Sequence, residues 1–111
     1  MDKEKRRAAM ANYRLVQPPA GIYALRFTVS DMVWVGAARD LTKIENRHCF
    51  ELRIGSHRCT PLQQAWLAFG EDKFAFNPIE TLDPDTPEIS RERILKERRT
   101  HWAAELGATL I

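Results

Sequence analysis

Residues 21–36, GIYALRFTVSDMVWVG, decide the fold. Two short runs rich in β-branched and aromatic residues, 22–28 and 32–35, flank Val29-Ser30-Asp31. Such runs on either side of a small polar turn predict an antiparallel hairpin. A triplet marks each end of it: Gly21-Ile22-Tyr23 opens the first strand and Trp34-Val35-Gly36 closes the second.

Downstream of the hairpin the pattern turns helical. A first core helix is expected from Asp40, a good N-cap, to Gly55, where a left-handed residue is cheap. Within it Leu41, Ile44, His48 and Leu52 recur at i, i+3, i+7 and i+11, one core-facing stripe. A second helix starts at Thr60-Pro61, buries Leu62, Ala65, Trp66 and Phe69, and ends at Gly70. A third strand covers 73–79, and Pro78, which cannot donate to a ladder, places it at a sheet edge. Thr86-Pro87 opens a charged helix over 87–106 with Gly107 after it, marked by Ile89, Leu95, Trp102 and Leu106.

Composition bounds the rest. A chain of 111 residues, 44% hydrophobic and 29% charged, suits one small domain with one core. No apolar run approaches a membrane span, and residues 1–10, MDKEKRRAAM, lack the apolar centre of a secretory signal. A cytoplasmic location without a membrane partner is therefore expected. Cys49 and Cys59 are too few for a disulfide framework. Residues 1–20 carry five basic and two acidic side chains, 21–70 six and four, 71–111 six and nine. An anionic partner is drawn first to the basic two-thirds. Residues 1–19 form a basic arm or helix ahead of a domain over 20–111.

The paired triplets, the order of elements after them and the spacings between them resemble the core of the GIY-YIG nuclease family over 21–106. The resemblance implies an α+β fold, a small three-stranded antiparallel sheet flanked by helices in the order β-β-α-α-β-α. It also implies nucleic-acid phosphodiester hydrolysis, which needs an activated water, positive charge on the phosphate and a divalent metal. The family assigns these tasks to two signature tyrosines, an arginine on the first core helix, a nearby histidine or tyrosine, and a metal-holding glutamate on the last helix.

Carried over residue by residue, the pattern is only partly kept. Tyr23 stands at the first tyrosine position, His48 and His57 at positions where members carry histidines. Trp34 replaces the second tyrosine and has no hydroxyl to orient water. Ile44, eight residues beyond Gly36, replaces the arginine, and Arg99, three before Trp102, replaces the glutamate. A guanidinium there repels a cation.

The sequence therefore points to a nuclease-superfamily domain that binds nucleic acid, DNA ahead of RNA, with impaired or lost hydrolysis. Tyr23, Trp34, Arg47, His48 and His57 are the candidate catalytic group; Arg26, Arg39, Lys43, Arg53 and Arg58, with Arg47, His48 and His57, are the candidate phosphate contacts. Trp34 or Tyr23 would stack on a base if exposed. Two alternatives remain open. One is an active Mg²⁺- or Mn²⁺-dependent endonuclease with a shifted site, Arg47 serving for Ile44 and Glu97 holding the metal; without activity no cofactor is expected. The other is a non-catalytic protein-interaction module using the sheet face and the last helix. Zinc at His48, Cys49, His57 and Cys59 is disfavoured, because adjacent helical residues point about 100° apart.

Overall fold

The computed structural model describes residues 18–111, so the basic arm expected over 1–19 falls almost wholly outside the described range. Strand β1 (Gly21–Phe27) and strand β2 (Val33–Ala38) form the hairpin, pairing Tyr23 with Gly36 and Leu25 with Trp34. Its turn is longer than the sequence suggests. Phe27 N–H donates to Met32 O at 3.0 Å, and the Ser30 hydroxyl accepts from Met32 N–H at 3.2 Å. The Ser30 side chain thus takes a donor that would otherwise begin the second strand.

Helix α1 (Ile44–Arg53) and helix α2 (Thr60–Phe69) follow, then a 3₁₀ turn at Glu71–Lys73 and strand β3 (Phe74–Thr81). Helix α3 (Glu88–Leu106) and a two-residue strand β4 (Thr109–Leu110) complete the chain. The sheet order is β3-β1-β2-β4, with β3 antiparallel to β1 and β4 parallel to β2. Pro78 lies on edge strand β3, as its missing N–H requires. The α+β architecture agrees with the sequence, but the sheet has four strands where three were expected. Two residues carry no readable period. Gly107 turns left-handed (φ 61°) at the end of α3 and returns the chain along β2, where Ile111 N–H donates to Val35 O at 2.9 Å.

Helix α1 starts later than Asp40. The Asp40 carboxylate accepts from both the backbone N–H (2.9 Å) and the hydroxyl (2.5 Å) of Thr42, making a local turn, so the helix begins after Lys43. Those bonds hold the Asp40 carboxyl below its ordinary pKa. The Leu41, Ile44, His48, Leu52 stripe does face inward: Leu52 is fully buried, Leu41 and His48 nearly so, Ile44 in part.

Side chains alternate across the sheet with period two. Ile22, Ala24 and Val35 face Leu95 and Ala103 of α3. Leu25, Phe27 and Trp34 face Leu52 of α1 and Leu62 and Trp66 of α2, while Tyr23 and Ala38 pack with Leu41 on the same side. One apolar mark of α3 and one residue expected on the buried face of α2 are not buried. Ile89 is 92% exposed: six positions before Leu95 it lies about 120° off that helix face. Phe69 is half exposed, its ring edge-on to Phe27, and Gln63 is buried instead. The Gln63 amide accepts from His57 N–H at 3.1 Å and donates to Leu52 O at 3.0 Å, a satisfied polar tie between α1 and α2. Glu80 of β3 ties down α3, accepting from Arg98 Nε at 2.9 Å and from the Trp102 indole at 2.6 Å.

The glycines of both triplets are demanded by close approach. A Cβ on Gly21 would strike the Glu80 carbonyl and one on Gly36 the Tyr23 phenol ring. Gly36→Ala should lower unfolding free energy by about 1–3 kcal/mol in denaturant melts, because the ring it displaces is walled in by Phe76, 5.1 Å away. A variant as stable as the parent would show that Tyr23 has room to move.

Candidate functional site

Tyr23, His48 and His57 form one hydrogen-bonded chain. The Tyr23 hydroxyl lies 2.5 Å from His48 Nε2, and His48 Nδ1 lies 2.8 Å from His57 Nε2. The backbone N–H of Cys59 donates to His57 Nδ1 at 3.0 Å. That last bond orders the others. With Nδ1 accepting, neutral His57 carries its proton on Nε2 and donates to His48 Nδ1; neutral His48 then donates from Nε2 to the Tyr23 oxygen. The phenol proton is left to point elsewhere, and among the described residues the Tyr23 hydroxyl bonds only to His48.

Burial keeps all three groups neutral. It pushes the Tyr23 hydroxyl up to about 12, against the pull of the guanidinium groups of Arg58, Arg47 and Arg99. Burial, followed by the neighbouring His57, brings His48 down to about 4, and burial likewise lowers His57. Near neutral pH Tyr23 is therefore a neutral phenol, not a phenolate base.

Two clefts meet at the end of β2. One, about 620 Å³, is lined by Ala37, Ala38, Arg39, Asp40, Lys43, Ile44 and Arg47. The other, about 510 Å³, is lined by Ala37, Arg39, Glu92, Arg93, Leu95, Lys96 and Arg99. They share Ala37 and Arg39, and between them they are lined by six cationic side chains and two carboxylates. Such an excess of one sign over low-dielectric walls concentrates anions.

Of the residues singled out from sequence, Tyr23, His48 and His57 are joined, Arg47 and Arg58 act on Tyr23 electrostatically, and Arg39 and Lys43 line the clefts. Others fall elsewhere. Arg26 shares the α3 side of β1 with Ile22 and Ala24 by strand alternation, across the sheet from Tyr23. Arg53 is bonded to Glu71 at 2.7 Å and lines neither cleft. Trp34 is 1% exposed, packed beside Leu52 and Leu62, and Tyr23 is 2% exposed, so neither offers a face for a base to stack on. Glu97 is exposed, 3.8 Å from Arg93, and lines neither cleft.

The residues present do not fit a metal at the position the family pattern assigns to glutamate. Arg99 stands there, a side chain with five donors and no acceptor, and its Nε is buried without a partner among the described residues. Elsewhere, ligand atoms of His48, Glu51 and His57 lie within 4.8 Å of one another. The Cys59 N–H works against a cation there, because it holds the His57 proton on the nitrogen that would have to ligate. Neither Cys49 nor Cys59 joins that group. Sequence reasoning missed Glu51 beside the histidines, though its i, i+3 spacing from His48 would have flagged it. It also missed Arg99 as a cation acting on Tyr23; the backbone donor of Cys59 has no signal in sequence.

No family model matches the chain. Intron-associated endonuclease 1 of Enterobacteria phage T4 is 30% identical over 92 residues, 82% of this chain and 34% of the relative. The chain thus spans about a third of the length of that curated relative. Two solved structures share the fold at TM-score 0.70. One, the catalytic domain of intron endonuclease I-TevI carrying a single Glu-to-Ala change, is 28% identical and covers 80% of this chain and 84% of its own. The other, the catalytic domain of homing endonuclease I-TevI, is 27% identical and covers 83% and 97%.

The buried histidines make stability depend on pH. A base whose folded pKa lies below its unfolded value of about 6.5 stabilises fully above that value, and the benefit is lost as pH falls toward 4. The slope is at most about 1.4 kcal/mol per pH unit for each histidine. Thermal melts from pH 7.5 to 4.5 should show a falling midpoint, with a shallower fall in His48→Asn; parallel slopes would show that His48 does not resist protonation.

Proposed function

The chain belongs to the GIY-YIG nuclease family, and from that premise we propose that it binds nucleic acid while its phosphodiester hydrolysis is impaired. The observation carrying this is the pair of clefts lined by six cations, with the Tyr23 hydroxyl, its proton undirected within the described chain, under the charges of Arg47, Arg58 and Arg99. A backbone phosphate supplies what that arrangement lacks, an anionic acceptor. Arg39, Lys43 and Arg47 hold the strand, and Tyr23 donates to a phosphate oxygen while His48 and His57 fix its orientation. The names of the relatives, an intron-associated endonuclease and an intron endonuclease catalytic domain, support nucleic acid as the partner.

Hydrolysis asks for more. Ile44 borders the cleft where a guanidinium would stabilise the phosphate as charge builds, and loss of one such group commonly costs about a hundredfold to a thousandfold in rate. Tyr23, held near 12, gives up its proton reluctantly to any water-activating role. One observation favours the alternative of residual activity: Arg47 lines the same cleft as Ile44 and acts on a complete Tyr23-His48-His57 chain.

Labelled single- and double-stranded DNA and RNA, with Mg²⁺, Mn²⁺ or chelator, test both. Binding in chelator should weaken with salt along a log–log slope of about −3 to −4, the value for roughly four phosphate contacts. Lys43→Ala and Arg47→Ala should each reduce that slope by about 0.9. Metal-stimulated cleavage abolished by Arg47→Ala would establish the active alternative. Salt-insensitive binding, no better than that of a neutral control protein, would overturn the proposal and leave a protein partner as the object of the cleft.

A further inference from the structure

Helix α3 carries its cations in two classes. Arg91 is near Glu88 and the carbonyls of Pro84 and Thr86, Arg93 pairs with Glu97, and Arg98 is fastened to Glu80. Lys96 and Arg99 differ. They are one turn apart on the same side of the helix, both line the 510 Å³ cleft, and among the described residues neither has a carboxylate partner. The Arg99 Nε is also buried with no acceptor. An orphaned buried donor is costly, and the side chain that carries it lines the cleft an external oxyanion would enter.

We propose that Arg99, with Lys96 and Arg39 across the cleft, forms a phosphate site that needs no divalent metal, the guanidinium holding a phosphodiester directly where the family pattern would hold a cation. The proposal rests on the reading of the clefts as a nucleic-acid surface and names the ligand chemistry within it. A planar guanidinium matches two phosphate oxygens and stays charged at every working pH. Its charge also acts on the Tyr23 hydroxyl. Arg39 is held at the cleft mouth by Glu92 at 3.2 Å, and Glu92 is exposed, free to swing away when a phosphate arrives.

The test measures anisotropy of a labelled DNA duplex in chelator and in Mg²⁺ for the parent, Arg99→Gln and Arg99→Glu, with melting points confirming folding. In parallel, thermal shift by inorganic phosphate and by a nucleoside monophosphate reports a free phosphate. The parent should bind the duplex in chelator and gain nothing from Mg²⁺. Arg99→Gln should bind roughly 10-fold to 100-fold more weakly in either condition. Arg99→Glu should be weaker still in chelator and recover several-fold in Mg²⁺, because a carboxylate can recruit the cation that arginine excludes. Salt-sensitive duplex binding that Arg99→Gln leaves unchanged would overturn this site while the nucleic-acid reading stands. Stabilisation by free phosphate, lost in Arg99→Gln, without duplex binding would keep the site and overturn the nucleic-acid reading. Loss of neither, or binding of neither ligand, would remove the site.

Discussion

Tyr23 lies against the backbone of its neighbouring strand because Gly36 has no Cβ, and most of the site depends on that contact. The register that pairs Tyr23 with Gly36 also pairs Leu25 with Trp34 and so sets the whole α1 and α2 side of the sheet. Once the ring is pinned between Gly36 and Phe76, its hydroxyl bonds, among the described residues, to His48 alone. His48 is held from behind by His57, and His57 by a peptide N–H in the connection before α2. A steric requirement in a hairpin thereby becomes a fixed proton order across three side chains. Water cannot reorder it readily, since His48 and His57 are each only 8% exposed.

The same geometry explains which features could be read from the chain alone. Periodicity and punctuation are local, and they located the hairpin, three helices, the edge strand with Pro78 and the stripe that buries His48. They failed where a competing short-range bond took over. Asp40 looks like a helix cap but spends its carboxylate on Thr42, and Ser30 lengthens the hairpin turn. Strand β4 escaped notice because two residues have no period and pair only through the turn at Gly107.

The site was legible in its parts and not in its connections. Tyr23, His48 and His57 were identifiable as residue types at telling positions, but the direction of their hydrogen bonds comes from the main chain of Cys59. Charge alone does not tell which side chains pair. Arg53 and Arg58 look alike in sequence; one is spent on Glu71, while the other acts on the Tyr23 hydroxyl. Only the fold decides which cation has a carboxylate within reach.

The two exchanged charges are better understood together than as separate losses. An arginine missing at Ile44 and one present at Arg99 move fixed positive charge from the cleft lined by α1 to the cleft lined by α3. A glutamate with a bound divalent ion supplies strong positive charge that can leave, shed water and polarise an oxygen. An arginine supplies a weaker charge that does neither, yet persists without ions and offers directed N–H donors. On the proposed function, such an exchange favours holding a phosphate over cleaving it. Binding requires attraction in the ground state, whereas hydrolysis requires attraction that grows as charge builds on the phosphate. On the proposed function, a fixed guanidinium at Arg99 with isoleucine at position 44 meets the first requirement and serves the second poorly.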